Sequence, residues 1–152
     1  MSTSRRRQPR SAPCDRRRHP AIGFSTPRLD GVETTTYRVR AKLISYAFED
    51  DHDVHLVISS PTSTAMTMIV EFPDPTCPGA RTSPKKSAMA HARAALIAAC
   101  GAPSTSFHDL HGTATITGVG FFDVKHGQTG VAPNAIELHP VLSFTDASCS
   151  RP

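Results

Sequence analysis

The chain has 152 residues, of which 38% are hydrophobic, with no Trp and a formal net charge of +4. That length fits one domain with room for a tail, and no apolar run approaches the roughly 18–20 residues that a membrane-crossing helix needs. The charge is uneven: residues 1–30 hold eight Arg against two Asp, a balance of +6, and residues 31–152 hold nine Lys or Arg against eleven Asp or Glu, a balance of −2. The basic character thus belongs to the start of the chain, and composition alone gives the rest no basic surface.

Residues 1–30 are rich in Arg, Ser and Pro and cannot bury enough apolar surface to offset their ordering entropy. They read as a disordered tail. The triplets Arg5–Arg7 and Arg16–Arg18 could attract a phosphate backbone or anionic lipid without sequence preference. There is no apolar signal-peptide core, so the expected compartment is the cytoplasm. The four cysteines, Cys14, Cys77, Cys100 and Cys149, form no CxxC pair, which argues against a zinc ribbon or a redox motif. Free thiols in a reducing cytosol are the expectation, with a Cys77–Cys100 pair left open.

The folded part is expected over residues 31–145. Thr34 to Phe48 reads as a first strand, alternating Tyr37, Val39, Ala41 and Leu43 against Arg38, Arg40 and Lys42. After Leu43 the apolar residues take the other parity, which suggests a bulge or bend. An acidic turn, residues 49–53, leads to a second strand from Val54 to Ser59. Val54, Leu56 and Ile58 lie on one face, with Asp53, His55 and Val57 on the other. A third strand from Ala65 to Phe72 sets Met66, Met68, Val70 and Phe72 against Thr67, Ile69 and Glu71.

Pro73 to Pro84 reads as a loop. A helix follows, capped by Thr82 or Ser83 with Pro84 in the first turn. It carries Met89, Leu96 and Ile97 as its apolar stripe and ends at Gly101. Leu110 to Phe122 is the fourth strand. Asp123 to Pro133 is a Gly-rich loop, Ile136 to Phe144 the fifth strand, and residues 146–152 a second disordered tail. On the fifth strand Ile136, Leu138, Pro140, Leu142 and Phe144 share one face, and Glu137, His139, Val141 and Ser143 the other.

Three strands, a helix, two strands and a bend in the first strand together match a five-stranded OB-like Greek-key barrel with one helix between the third and fourth strands. An open α+β sheet fits less well, because it leaves the bend unexplained. In the OB arrangement the third strand lies between the second and the fifth. Asp53, His55, Glu71, Glu137 and His139 then gather on one outer face. Carboxylates and imidazoles together suit a divalent ion such as Mg, Mn, Ca or Zn, the one cofactor these residues suggest. A cross-strand His–Glu ladder that fixes register would use the same residues.

The segments DVHLVI (53–58), TMIVEFPDPTC (67–77) and TGVGFFDVKHGQTGVAPNAIELHPVL (117–142) resemble the core of a family of small, uncharacterised bacterial OB-like proteins. The resemblance spans roughly residues 36–144. It implies the barrel and its boundaries but no activity, and it implies that some relatives are exported.

The first functional expectation is a non-catalytic OB-like module for single-stranded nucleic acid. Its binding residues would come from the loop (Lys125, His126, Gly127, Gln128, Gly130 and Asn134) and from Arg38 and Arg40, with Tyr37, Tyr46, Phe121 and Phe122 as stacking platforms. The alternative is a metal-dependent phosphodiesterase or nuclease using the His/Glu face, with Arg38, Arg40 and Lys125 on the phosphate. A third reading is a protein-interaction domain. No GxSxG elbow is present to support a serine nucleophile.

Overall fold

The computed structural model describes residues 28–152. Most of the expected first tail, with both arginine triplets and Cys14, lies outside the described residues.

The protein is mainly β. A 3-10 turn (Val32–Thr34) precedes β1 (Thr36–Phe48), β2 (Val54–Ser60) and β3 (Ser63–Phe72). Then come α1 (Pro78–Thr82), α2 (Lys86–Cys100), β4 (His108–Asp109), β5 (His111–Phe122) and β6 (Ile136–Ser150). The six strands form one sheet in the order β2-β3-β6-β5-β1-β4, and β1 also pairs with β2, so that five strands close into a ring. Neighbours in the ring run antiparallel except β3 and β6, which are parallel.

The ring closes because β1 bends. Its first half, Thr36 to Lys42, pairs with β5, and its second half, Lys42 to Phe48, pairs with β2. The register shifts between Leu43 and Ser45, at the point where the apolar parity changes in the sequence. One extra residue there turns the strand and lets Leu43 and Tyr46 both face the interior. Val54, Leu56 and Ile58 of β2, Val70 and Phe72 of β3, and Ala114 and Ile116 of β5 complete that interior.

Helix α2 closes one side of the core. Met89, Ala92, Leu96 and Cys100 are its buried residues, at spacings of three, four and four, as one helical face demands. Met89 and Leu96 of the expected stripe are buried as expected, Ala92 and Cys100 join them, and Ile97 is only half-buried. Gly101, at φ +83°, ends the helix and donates its N–H to the carbonyl of Ile97 at 2.8 Å. The expected loop before the helix contains α1, whose Pro78 occupies the first turn. The expected Thr82 or Ser83 cap of the longer helix is not made; Lys85 is its N-cap and offers no side-chain hydrogen bond.

Three expectations for the C-terminal part are corrected. The fifth strand of the ring, β6, does not stop at Phe144 but runs to Ser150, pairing with β5 as far as Ser150 against His111, so residues 146–150 are sheet rather than tail. Its inward residues are Leu138, Val141 and Phe144, not a strict alternation. Gly118 pairs with Val141 and Gly120 with Leu138, so β6 has two residues, His139 and Pro140, where β5 has one. That bulge resets the parity. Finally, Cys100 and Cys149 form a disulfide, which ties the end of α2 to the end of β6. Cys77 is disulfide-bonded too, so no cysteine among the described residues is the expected free thiol, and the Cys77–Cys100 pair left open is not made.

Candidate functional site

The outer faces of β2, β3 and β6 carry a row of ionisable side chains. Pairing sets His55 of β2 opposite Glu71 of β3, and puts Ile69 of β3 against Glu137 of β6. Alternation then turns His55, Glu71, Glu137 and His139 to the same outer side. The site therefore follows from strand register, and register here is fixed by the apolar residues that alternate with it on the inner side.

This outer side is not open to water. His55, Glu71 and Glu137 are each 2% exposed or less. The loop from Asp123 to Ala135 folds back over β2, with Ala132 and Ala135 buried. Gly130, at φ +80°, lies so close to β2 that a Cβ would meet Val57 Cγ1 at 2.4 Å. Phe107 approaches the His55 ring edge-on, with centroids 5.2 Å apart. At the other end of the row the Phe121 ring lies 5.5 Å from that of His139.

His55 is held at both nitrogens. Nε2 lies 2.8 Å from the Thr129 carbonyl oxygen and Nδ1 lies 3.0 Å from Glu49 Oε1. A carbonyl only accepts, so Nε2 carries a proton, and Nδ1 is aimed at the carboxylates of Glu49 and, at 3.9 Å, Glu71 Oε1. A histidine that gives its remote N–H to a backbone carbonyl is held in the tautomer and orientation of a metal ligand. His139 Nδ1 lies 3.4 Å from both Glu71 Oε2 and Glu137 Oε1.

Two sets of donor atoms meet within 4.8 Å of one another: Glu49, His55 and Glu71, and Asp53, Glu71 and His139. Donors at roughly 2.0–2.6 Å from a shared ion stand no more than about 5 Å apart, so each set fits a divalent cation. Asp53 accepts the Asp74 N–H at 2.7 Å through Oδ1.

The second set borders a cleft of about 480 Å3, whose lining includes Asp53, His139, Asp51, Arg28, Lys85 and Met89. Arg28 supports this wall. Its guanidinium donates to the carbonyls of Gly120 at 2.9 Å and His139 at 2.7 Å, and stacks over Phe121. Glu33, fully buried, accepts the N–H groups of Leu29 and Phe122 and holds the incoming chain against β5.

Next to the cluster, burial alone would raise the Asp74 carboxyl pKa. Hydrogen bonds from the Thr76 backbone and hydroxyl outweigh it, with the charges of Arg93 and His52, and hold it below the ordinary value. Burial pushes the Arg93 guanidinium down, against the pull of Asp74, Asp53 and Asp51. Arg93 donates to the carbonyls of Phe72 and His52.

The structure thus brings Asp53, His55, Glu71, Glu137 and His139 together. The expected loop residues cover the site but belong to neither donor set, and their side chains serve the loop. Gln128 accepts from the His126 N–H and donates to Asp123 and Val124, Lys125 donates to the Pro133 carbonyl, and Asn134 accepts from the Ile136 N–H. Gly127 faces open space. Arg38 and Arg40 are exposed on β1, which β5 separates from β6. Arg40 donates to Thr113, Thr115 and the Asp146 carbonyl. Of the expected stacking platforms, Tyr46 and Phe121 are buried, and Tyr37 and Phe122 are half-buried.

Sequence reasoning did not include Glu49, Arg28 or Phe107 in the site. Glu49 carried a signal, since it enters the acidic turn that precedes His55. Phe107 and Arg28 are brought in by tertiary packing and had none.

No protein-family model matches the chain, and neither a curated protein nor a solved structure matches it. Among the described residues, no helix is long and apolar enough to cross a membrane.

Proposed function

We propose that the five-stranded ring is an OB-like barrel that binds a divalent cation and acts as a metal-dependent phosphodiesterase. One observation carries this reading: the donor atoms of Asp53, Glu71 and His139 converge beside a cleft large enough for a small substrate. When bound, such an ion supplies Lewis-acid activation of water and of a phosphoryl oxygen. In this scheme Asp53, Glu71 and His139 would hold the ion, with the Glu137 carboxylate beside it, its Oε1 3.4 Å from His139 Nδ1. Lys85 is the basic residue at the cleft for a substrate phosphate, while Arg28 is engaged with the Gly120 and His139 carbonyls. Mg or Mn suits the carboxylate-rich set best.

The reading as a single-stranded nucleic-acid binder comes second. It needs exposed aromatic faces, and the four residues it relied on are buried or half-buried. The disulfide favours an oxidising compartment over the expected cytoplasm.

The test is thermal unfolding of the full chain in EDTA and then with Mg, Mn, Ca and Zn, followed by hydrolysis of bis(p-nitrophenyl) phosphate. Mn or Mg should raise Tm, because an ion that binds only the native state stabilises it. Asp53→Asn and His139→Gln should diminish the shift and remove the hydrolysis. If no ion moves Tm, the proposal is wrong.

A further inference from the structure

Glu71 belongs to both donor sets, and its two oxygens face different histidines. Oε1 lies 3.9 Å from His55 Nδ1, and Oε2 lies 3.4 Å from His139 Nδ1. We propose that the protein holds two divalent cations bridged by the Glu71 carboxylate, one on Glu49 and His55 and the other on Asp53 and His139.

This rests on the metal-dependent reading above and extends it. Each set pairs one imidazole with two carboxylates, and only Glu71 is shared. A carboxylate has enough lone pairs to give one oxygen to each of two ions. Two divalent charges match the four carboxylates Glu49, Asp53, Glu71 and Glu137.

The two sets differ in their surroundings. His55 is 2% exposed, lies beneath Phe107 and is tied to the Thr129 carbonyl. His139 and Asp53 line the cleft. The ion on Glu49 and His55, inner only in lying off the cleft since Glu49 is 33% exposed, would have its histidine fixed by the fold, while the outer ion on Asp53 and His139 would face the cleft. The bridge couples them, so that filling the inner site sets the position of the Glu71 oxygen that holds the outer ion. A bridged pair also points to a substrate class. Paired ions can stabilise both the attacking and the leaving oxygen of an in-line displacement at phosphorus, which suits an unactivated phosphodiester better than an activated carboxylic ester.

The test is Mn binding to the full chain, by equilibrium dialysis with metal analysis and by electron paramagnetic resonance. The wild type should bind two Mn per chain and show the multiline signal of an exchange-coupled pair. His55→Gln and, as a milder second variant, Glu49→Gln should leave one uncoupled Mn. His139→Gln should likewise leave one, and Glu71→Gln should abolish the coupled signal. Near-ultraviolet circular dichroism checks that each variant is folded. One Mn per chain, lost in His139→Gln and kept in His55→Gln and Glu49→Gln, would overturn the paired site and leave the single-ion reading standing. Two Mn without coupling would overturn the bridge. No bound Mn would overturn both readings.

Discussion

His55 Nε2 lies 2.8 Å from the carbonyl oxygen of Thr129, so a strand residue and a loop residue 74 positions apart fix each other. The contact gives the Gly-rich loop a structural task. It orients the imidazole and covers it, and so sets both the direction of Nδ1 and the dryness around it. Donors aimed in advance in a water-poor site act more strongly than the same groups in water.

Gly130 and Gly127 separate the two demands on that loop. Both have positive φ, +80° and +87°, but only Gly130 presses on β2, through Val57. Gly127→Ala should cost about 1–2 kcal/mol, the usual strain of an L-residue in this region. Gly130→Ala adds a collision with a buried side chain and should cost about 2–4 kcal/mol. Urea unfolding of the two variants reads the difference directly. Mn affinity should fall in Gly130→Ala and hold in Gly127→Ala, because only the first moves the Thr129 carbonyl. Equal losses of stability would mean that the loop does not press on Val57.

The Cys100–Cys149 disulfide closes a span of 49 residues that contains β4, β5 and most of β6. In the chain-entropy account a loop of that length stabilises the fold by about 4 kcal/mol. Cys100→Ser, Cys149→Ser and the double variant should all lose that amount, since each removes the same bond. Guanidinium unfolding with and without a reductant checks it, and a loss in the double variant equal to the sum of the singles would contradict the assignment. A loss of this size is comparable to the whole stability of a small domain.

Much of this arrangement is legible in the sequence, and the reasons differ by element. The bend in β1 shows because apolar parity changes across Ile44, and β2 and β3 show because their inner and outer residues alternate cleanly. The row of His55, Glu71, Glu137 and His139 follows once the strand order is assumed, since pairing then fixes who faces whom. The length of β6 was not legible: Thr145 to Ser150 is polar, and a strand exposed on one side needs no apolar period there. Its change of parity at His139 and Pro140 was hidden because the bulge is a property of the pair with β5, not of β6 alone. The cysteine partners were equally hidden, as spacing does not dictate connectivity. Short α1 lay in a segment whose four prolines read as a loop.

Arg28 is positioned to support His139 through the backbone. Its guanidinium bridges the carbonyls of Gly120 and His139, and so fastens β5 to β6 at the bulge. Arg28→Ala should destabilise the protein by about 1.5–3 kcal/mol, the range for hydrogen bonds to a charged group. Arg28→Lys should recover little, because an ammonium cannot reproduce the planar fork. Thermal unfolding measures the loss. Mn titration should show weaker binding in both variants, and unchanged affinity in Arg28→Ala would mean that the His139 backbone does not depend on this contact.

Asp74 gives the fold an acid sensitivity of definite sign. Its folded pKa lies below the ordinary carboxylate value because the Thr76 hydrogen bonds and the charges of Arg93 and His52 outweigh the effect of burial. A depressed carboxylate contributes stability above its unfolded pKa of about 3.9 and loses it as pH falls through the folded value. The contribution should therefore be complete at neutral pH and fade below about pH 4. Because the group is part-exposed and screened, the contribution should be small. Asp74→Asn should lower the urea midpoint at pH 7 and leave a shallower decline below pH 4 than the wild type shows. Thr76→Ala, which removes only the hydroxyl, should give a smaller change in the same direction. The decisive comparison is the difference in midpoint between wild type and Asp74→Asn, measured from pH 7 down to pH 2.5. It should shrink with acid, and a difference that stays constant would assign the effect to lost packing rather than to charge.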